Sequence, residues 1–419
     1  MELKKYKLGD LVEVTRGMSL SGQFYSETGT LIRLTLGNFN MNGGGFKENT
    51  SKTDLYFTGP VKEEYILQEG DIITPLTEQS LGLLGTTAKI PESGKYIQSQ
   101  DVALVKCKEG LIDPNFCYYL ISSNLVRQQL SAAAQQTKIR HTSPDKIKEC
   151  TVWVPDLENQ KRIGRILADI DSKITVNRQI NDNLEAIAKQ LYDYWFVQFD
   201  FPNEEGKPYK SSGGKMVWNE ILKREIPEGW RDGCFSDIAN ITMGQSPDGS
   251  SYNEDGEGEI FYQGSTDFGI RFPSVRMYTT APTRFAKQGD ILMSVRAPVG
   301  AVNIANTDCC IGRGLSAINS KIGSMTYIYF VIHYLKVRFD NLNSVGTTFG
   351  SITKDDLYGL PIVIPSTDVI KMYESISKPI FDKQMNIGQE IENLTKQRDE
   401  LLPLLMNGQA SVNYHLSHD

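Results

Sequence analysis

Residues 136–155 read QTKIRHTSPDKIKECTVWVP, and residues 346–365 read GTTFGSITKDDLYGLPIVIP. The two stretches align without a gap at an offset of 210 residues, which brings Pro155 onto Pro365. The same offset continues backwards into an aromatic segment and forwards into two helical patterns, whereas farther upstream it drifts. A fixed period of self-similarity indicates a duplication. We therefore predict two related domains whose loops differ in length.

Each copy combines a globular part with a helical part. The globular parts contain short β-type runs separated by glycine-rich turns, for example DVALV at 101–105 and LPIVI at 360–364. Asp113 followed by Pro114 predicts the start of a helix, because aspartate caps helices and proline suits the first helical position. Each copy is therefore expected to have a mixed α+β fold without an alternating βαβ pattern.

The helical parts carry a seven-residue periodicity. In the first copy it runs through Ile163, Ile170, Asn177, Leu184 and Leu191. Near the intermediate seam positions lie Ile166, Ile174, Ile180 and Ile187. The second copy repeats the period at Tyr373, Ile380, Ile387, Leu394 and Leu401. Such heptads predict two long helices, each about 55 Å, packed along one seam. They do not distinguish parallel from antiparallel packing. Asn177 is either a buried amide that sets the register or an exposed or locally satisfied side chain.

Composition narrows the class of protein. The chain has 419 residues, of which 40% are hydrophobic and 23% charged, as in soluble globular proteins. Its longest apolar stretch is too short to span a bilayer, and no secretory signal is visible, so we expect a cytoplasmic protein without a membrane role. Six cysteines form no C-x-x-C pair, and we predict neither a metal nor a disulfide. The net charge of -7 is unlike that of a self-sufficient nucleic-acid binder.

Residues 191–230 read LYDYWFVQFDFPNEEGKPYKSSGGKMVWNEILKREIPEGW. This segment resembles the connector between the two halves of the DNA-specificity subunit of type I restriction-modification systems. The matching positions are Trp195, Phe196, Phe199, Pro202, Gly206, Pro208, Tyr209, Gly213, Gly214, Met216 and Ile226-Pro227-Glu228-Gly229-Trp230. The resemblance covers essentially the whole chain, from the two globular regions to the C-terminal LLPLLMNGQ segment.

The resemblance implies an architecture and a set of partners. Two similar mixed α/β target-recognition domains would be separated by two long antiparallel helices packed as a coiled coil, in a pseudo-twofold internal repeat. Each domain would read one half of a bipartite double-stranded DNA target, and the helices would set the spacing. Two methyltransferase (modification) subunits would dock on the helices, and restriction subunits would join the full complex. S-adenosylmethionine, ATP and Mg²⁺ are expected on the partner subunits, with no cofactor on this chain.

These expectations divide the chain into six segments. They are a first target-recognition domain (1–158), a first long helix (159–200), a linker (201–225), a second target-recognition domain (226–366), a second long helix (367–407) and a C-terminal tail (408–419).

Catalytic motifs are missing from the sequence. Gly214-Lys215 is followed by Met216, so no phosphate-binding P-loop is formed. Asp113-Pro114-Asn115-Phe116 departs from the Asn-Pro-Pro-Tyr motif of adenine methyltransferases. A nuclease-like match consists of Pro155-Asp156 followed by Asp171-Ser172-Lys173, but Asp171 and Lys173 fall in the heptad helix. We predict no catalytic residue and a non-catalytic recognition subunit. The alternatives are a stand-alone DNA methyltransferase or endonuclease, and a coiled-coil adaptor without a DNA role.

DNA contacts require cations for phosphates and planar donors for base edges. In the first domain the predicted contacts are Thr137, Lys138, Arg140 and His141, with Arg16 and Arg33 as weaker candidates. At the equivalent place in the second domain lie Thr347, Thr348 and Ser351. Its predicted arginine contacts are Arg271, Arg276, Arg284, Arg296 and Arg313, since the arginine fork suits guanine. For each single arginine a solvated or ion-paired role is the alternative. Neither domain is basic overall, so we expect weak DNA binding by the isolated chain.

A dense aromatic cluster ends the first long helix. Tyr192, Trp195, Phe196 and Phe199 are predicted to anchor a modification subunit, because aromatic residues concentrate at interface cores. The alternative is burial against the second helix of the same chain.

Overall fold

The computed structural model describes residues 2–40, 44–78, 82–133, 140–344 and 351–412. The chain forms two compact units, and both long helices run through both of them. Unit 1 consists of Met1–Thr175 and Glu392–Asp419, and unit 2 consists of Val176–Ile391. In the described residues no helix is both long and apolar enough to cross a membrane.

The described part of unit 1 contains two four-stranded sheets, two two-stranded sheets and several short helices. Its strands are β1 (Lys4–Lys7), β2 (Val12–Arg16), β3 (Tyr25–Ser26), β4 (Ile32–Arg33), β5 (Tyr56–Phe57), β6 (Ile72–Pro75), β7 (Thr77–Glu78), β8 (Ala88–Lys89), β9 (Tyr96–Ile97), β10 (Val102–Cys107), β11 (Arg140–His141) and β12 (Thr151–Val154). Its helices are α1 (Leu8–Leu11), α2 (Pro114–Ser122), α3 (Asn124–Ala133), α4 (Pro144–Lys148) and the first part of α5 (Leu157–Tyr192). One sheet has the order β2-β10-β6-β8 and the other β3-β5-β4-β9, while β1 pairs with β12 and β7 with β11.

Unit 2 repeats this plan. Its strands are β13 (Met216–Asn219), β14 (Arg224–Pro227), β15 (Arg231–Cys234), β16 (Ala239–Met243), β17 (Tyr252–Asn253), β18 (Glu259–Tyr262), β19 (Tyr278–Thr279), β20 (Phe285–Ala286), β21 (Ile291–Ser294), β22 (Val302–Ile304), β23 (Cys309–Ile311), β24 (Leu315–Ser320) and β25 (Pro361–Ile364). Its helices are α6 (Phe235–Ile238), α7 (Met325–Ser344), α8 (Lys354–Tyr358) and most of α9 (Thr367–Met406). The sheets have the orders β16-β24-β21-β22 and β17-β19-β18-β23-β20, and β15 pairs with β25.

The predicted duplication is present in the strand pairing. β1 runs antiparallel to β12 with Lys4 opposite Val154, and β15 runs antiparallel to β25 with Arg231 opposite Ile364. β12 and β25 are the strands that the 210-residue offset superimposes, and each is followed directly by a long helix. The predicted cap at Asp113 is confirmed, since its carboxylate accepts a hydrogen bond from the Phe116 amide at 3.0 Å.

The long helices pack antiparallel, which the heptads alone did not decide. In unit 1, Arg398 on α9 donates to Asp171 on α5 at 2.9 Å, while residues earlier in α5 share a buried cluster with residues later in α9. In unit 2, Asn177 donates to Glu390 at 3.0 Å. Just beyond the end of α5, the Trp195 ring lies 5.7 Å from the Tyr373 ring of α9. Later residues of α5 therefore contact earlier residues of α9 in both units, as expected for an antiparallel pair.

The seam differs in part from the predicted one. Ile180 and Ile187 are 39% and 52% exposed, so their placement in the seam was wrong. Of the predicted positions on α5, Ile163, Ile174 and Asn177 are buried. A further seven-residue series consists of Leu167, Ile174, Asn181 and Ala188 on α5 and continues to Trp195 just beyond its end. Asn177 is buried, and its amide is satisfied across the seam by Glu390. Sequence hydrophobicity misassigned these positions because asparagines, Asn177 and Asn181, take buried places in the seam while Ile180 and Ile187 face outward.

Candidate nucleic-acid interface

Unit 2 has an open polar cleft of about 590 Å³. Its lining comes from the segment that leads into β17, the segment after β18, the end of β21 with the residues that follow it, and the turn between β23 and β24. Its lining residues are Ser246, Pro247, Tyr252, Gln263, Gly264, Ser265, Thr266, Ser294, Arg296, Ala297, Arg313 and Gly314. Two of the predicted DNA contacts, Arg296 and Arg313, thus meet in one concave surface although they lie on different strand connections.

The backbone at these two arginines is fixed while their guanidinium groups stay available. The Arg313 amide donates to the Ser246 hydroxyl at 3.3 Å, and the Arg296 carbonyl accepts from the Ser294 hydroxyl at 2.7 Å. Arg296 also pairs through its backbone with Ser351, another predicted contact. Both side chains are exposed. Within the described part of the chain neither guanidinium has a carboxylate partner, so both can accept an anionic or guanine ligand.

Negative charge beside this cleft is compensated internally. Asp267, a buried carboxylate, is paired with Arg276, whose Nε donates at 3.1 Å. The backbone amide of Gln263 donates to the same carboxylate at 2.8 Å. Arg276 is therefore engaged in an internal ion pair, which is the alternative that the sequence left open for it.

Unit 1 has a cleft of about 330 Å³ at the equivalent place. Its lining residues are Leu20, Tyr25, Arg33, Leu34, Thr35, Leu36, Gly37, Asn49, Ser51, Lys52, Ser99, Gln100 and Asp101. The equivalence rests on matching hydrogen bonds. The Tyr25 hydroxyl donates to the Leu20 carbonyl at 3.1 Å, and the Tyr252 hydroxyl donates to the Pro247 carbonyl at 3.0 Å. Each tyrosine thus bonds back five residues and closes the same wall.

Arg33 packs against Tyr25 in the lining of the unit 1 cleft. Its side chain stacks on the Tyr25 ring at 3.8 Å and forms an ion pair with Asp54 at 3.0 Å. Only 6% of the residue is exposed. In unit 2 the Tyr252 ring packs on Phe261 at 4.9 Å, so an aromatic ring takes the place of the guanidinium. Arg33 therefore has a packing role in this wall.

The remaining candidates of the first domain lie near β11. His141 is exposed and pairs with Thr77 across the β7–β11 ladder. Arg140 donates to the Ser131 hydroxyl at 3.1 Å and lies 3.8 Å from the buried Glu78 carboxylate. Arg16 is exposed, with its Nη2 3.5 Å from the Thr142 carbonyl. Predicted contacts outside the described residues are Thr137, Lys138, Thr347 and Thr348.

Two further arginines of unit 2 have different environments. Arg271 is buried, donates to Glu185 on α5 at 3.0 Å and to the Tyr329 hydroxyl at 3.1 Å, and therefore cannot reach DNA without breaking an internal ion pair. Arg284 is exposed, lies outside the cleft, and forms no ion pair with a described residue.

A carboxylate on α5 links the helix pair to the recognition domain in each unit. In unit 1, Asp171 accepts from Arg398 and from the Tyr119 hydroxyl at 2.6 Å. Burial, with the nearby Asp171 charge, raises the pKa of Tyr119, so its hydroxyl remains a donor. In unit 2, Glu185 accepts from Arg271 and from Gln384 at 2.9 Å. Asp171, which belongs to the nuclease-like match in the sequence, is therefore already engaged in internal hydrogen bonds. Across the described ranges, no cluster of three or more His, Cys, Asp or Glu could hold a metal.

The aromatic residues proposed as partner anchors belong to the core of unit 2. Tyr192, Trp195, Phe196 and Phe199 are all buried. The Phe196 ring lies 4.9 Å from Tyr373 of α9 and 5.9 Å from Trp230. Burial against the chain's own helix, the alternative named from the sequence, is what the structure shows. Because their rings pack inside unit 2, they are not available to a partner surface.

Gln100 is a cleft residue that sequence reasoning missed. It lies in the turn between β9 and β10 and is exposed beside Arg33. The offset of 210 residues does not hold in this upstream part of the chain. Here an offset of 213 residues aligns YIQSQDVALV with CCIGRGLSAI, which places Gln100 opposite Arg313. A local realignment of these two strand-turn-strand segments would have found it.

Comparison with known proteins agrees with the duplicated fold. The family model described as type I restriction modification DNA specificity domain matches residues 1–186 and again residues 227–402. A putative type I restriction enzyme MjaX specificity subunit from Methanocaldococcus jannaschii is 32% identical over 379 residues, covering 86% of this chain and 84% of that protein. The HindI specificity subunit from Haemophilus influenzae is 23% identical over 385 residues, covering 75% and 81%.

One solved structure supports the fold itself. The S subunit of a type I restriction-modification system from M. genitalium superimposes with a TM-score of 0.60 at 16% identity, over 97% of this chain and 96% of that one. The chain therefore belongs to the family of type I restriction-modification DNA-specificity subunits, with one recognition domain in each unit.

Proposed function

We propose that this chain supplies sequence specificity, and no chemistry of its own, to a complex that modifies a bipartite double-stranded DNA target. One observation carries the proposal: the recognition domain occurs twice, and each copy has a polar cleft at the same place in its fold. Two similar clefts with different linings suit two different half-sites, because sequence is read by side-chain donors and acceptors at base edges.

For the second half-site, the proposed contacts are Arg296 and Arg313 in the cleft, with Ser351 at its rim and Arg284 outside it. The first half-site would be contacted near Arg16, Arg140 and His141. Segments 134–139 and 345–350, which carry Thr137, Lys138, Thr347 and Thr348, complete the proposed set. A net charge of -7 opposes phosphate binding, so we infer that tight binding needs the positive charge of partner subunits.

The helix pair is proposed to hold two modification subunits and to set the gap between half-sites. Support comes from apolar side chains left exposed on the two helices, since a helix normally buries such residues. They are Val176, Ile180 and Ile187 on α5, with Met372 and Ile376 on α9. Because the pair is built from a repeat, two partner sites are expected. The 36 residues of α5 correspond to about 54 Å.

The reaction chemistry is proposed to reside on the partners. Methyl transfer would use S-adenosylmethionine bound to the modification subunits, and ATP and Mg²⁺ would serve the restriction subunits of the full complex. Asp171, the acidic residue of this chain once considered for metal chemistry, is held by Arg398 and Tyr119, which supports a packing role for it.

Reconstitution tests this proposal. Purified chain, purified modification subunit and their mixture are each incubated with genomic DNA and S-adenosylmethionine, and methylated positions are mapped. We expect methylation of one bipartite motif by the mixture and none by either component alone. Methylation by this chain alone, or an identical motif from the modification subunit without it, would overturn the proposal.

A further inference from the structure

The turns that follow β9 and β23 occupy the same place in the two domains. In unit 1 the Val102 amide bonds the Ser99 carbonyl at 3.0 Å, and in unit 2 the Leu315 amide bonds the Gly312 carbonyl at 2.9 Å. Each turn is also bound by a glycine from an earlier part of the chain. The Gly17 amide donates to the Val102 carbonyl, and the Gly244 amide donates to the Leu315 carbonyl. Gln100 and Arg313 are consequently equivalent residues, each the first after Ser99 or Gly312.

The backbone of both turns is held closely. A Cβ atom at Gly17 would lie 2.3 Å from the Ser99 carbonyl oxygen, and one at Gly244 would lie 2.2 Å from the Gly312 carbonyl oxygen. These distances leave room for glycine only. The two turns are therefore fixed at the same point of the fold, and they present different side chains from it.

Neither side chain is used by the protein itself. Gln100 and Arg313 are exposed and line their clefts. Neither has a side-chain hydrogen bond or ion pair to any residue in the described ranges. By contrast, Asn49 in the first cleft already donates to the Thr35 hydroxyl at 2.8 Å and accepts from the Ser51 amide. The free amide and the free guanidinium are thus the available groups at the equivalent positions.

The surroundings make the two clefts different in charge. Arg296 adds a second free guanidinium to the unit 2 cleft, where its equivalent in unit 1 is the buried Thr77. The ladders show this equivalence, because Thr77 pairs with His141 and Arg296 pairs with Ser351, which lies 210 residues later. No carboxylate lines the unit 2 cleft among the described residues, whereas Asp101 and Lys52, which have opposite charges, both line the unit 1 cleft. The first cleft favours a ligand edge that both donates and accepts, and the second favours an edge of acceptors.

We propose that Gln100 and Arg313 are specificity-determining residues, Gln100 reading an adenine in one half-site and Arg313 reading a guanine in the other. A glutamine amide both accepts from adenine N6 and donates to adenine N7, while an arginine fork donates twice to guanine O6 and N7. This assignment rests on the proposed function. Contact of Arg313 with phosphate alone is the competing arrangement, and it would carry no sequence information.

Mapping of the methylated motif tests the assignment in cells that contain this chain and its modification subunit. Arg313→Gln is expected to reduce methylation of the original motif about 10- to 100-fold and to change one guanine position of one half-site. Gln100→Arg is expected to change one adenine position of the other half-site. The untouched half-site in each variant reports that the chain has folded and assembled. Arg231→Gln, an exposed arginine of unit 2 that neither lines the cleft nor belongs to the proposed contacts, is the matched control and should leave the motif unchanged.

Three outcomes would overturn the assignment. An unchanged motif in either Gln100→Arg or Arg313→Gln would do so, and so would uniformly weaker methylation of the same motif, which indicates a phosphate contact. If Arg313→Gln abolishes methylation altogether, Arg313→Lys decides, because lysine keeps the charge without the fork. A relaxed guanine preference in Arg313→Lys supports the assignment, whereas full selectivity overturns it. Failure of the proposed function is separate, since deletion of the chain would then leave the motif methylated.

Discussion

Replacing Arg398 with methionine should destabilise unit 1 selectively. The Arg398 guanidinium on α9 donates to Asp171 on α5 at 2.9 Å, and its side chain is only 8% exposed. Methionine retains most of the apolar stem but removes the charge. Asp171 keeps its hydrogen bond from the Tyr119 hydroxyl and loses the charge that compensates it.

The size of the effect follows from burial. Breaking a fully buried ion pair costs about 3–5 kcal/mol. The Asp171 side chain is 29% exposed, so water replaces part of the lost interaction. We therefore expect a loss of about 2–3 kcal/mol, close to the value of a hydrogen bond to a charged group. In a unit of this size that corresponds to a decrease in Tm of about 4–12 °C.

Calorimetry of the full chain measures this change, and hydrogen–deuterium exchange of peptide 392–406 localises it. Lys396→Met is the matched control, because Lys396 lies on the same helix in an exposed pair with Glu400. Exposed pairs contribute little, so this variant should melt like the wild type. Equal Tm values for Arg398→Met and Lys396→Met would refute the antiparallel contact between the helices in unit 1.

Three further changes test other parts of the account. Trp195→Ala should cost unit 2 about 3–5 kcal/mol in chemical denaturation, because its ring is buried; unchanged stability with lost partner binding would restore an anchoring role. Gly244→Ala should impair methylation at one half-site only, whereas Gly249→Ala, which has open space around it, should not; equal effects would contradict a fixed turn. Deleting residues 174–180 together with 388–394 removes about 10.5 Å from both helices and should shorten the gap in the methylated motif by about 3 base pairs; an unchanged gap would argue against helical spacing.

Much of the fold was accessible from the sequence because it depends on local patterns. The 210-residue offset located the repeat, and the heptads located α5 and α9. Heptads are symmetric with respect to chain direction, so the antiparallel order required coordinates. The seam was partly misassigned because Ile180 looks like a buried residue by type, whereas Asn181 is the residue that faces the other helix.

The candidate site was only partly accessible. Arg296 and Arg313 were named from residue type, and the structure brings them into one cleft. Arg33 and Arg271 have the same chemistry but are held by Asp54 and Glu185, partners whose proximity depends on the fold. Residue type indicates what a side chain can bind, while tertiary packing decides whether it is already engaged.

The most direct test of the central claim is a domain exchange read out by methylome sequencing. Residues 1–158 of this chain are replaced by the corresponding segment of a family relative with a different target, and the modification subunit is left unchanged. We expect one half-site of the methylated motif to change, with the other half-site and the gap retained. A change in both half-sites, or in neither, would contradict the assignment of one recognition domain to each half of the target.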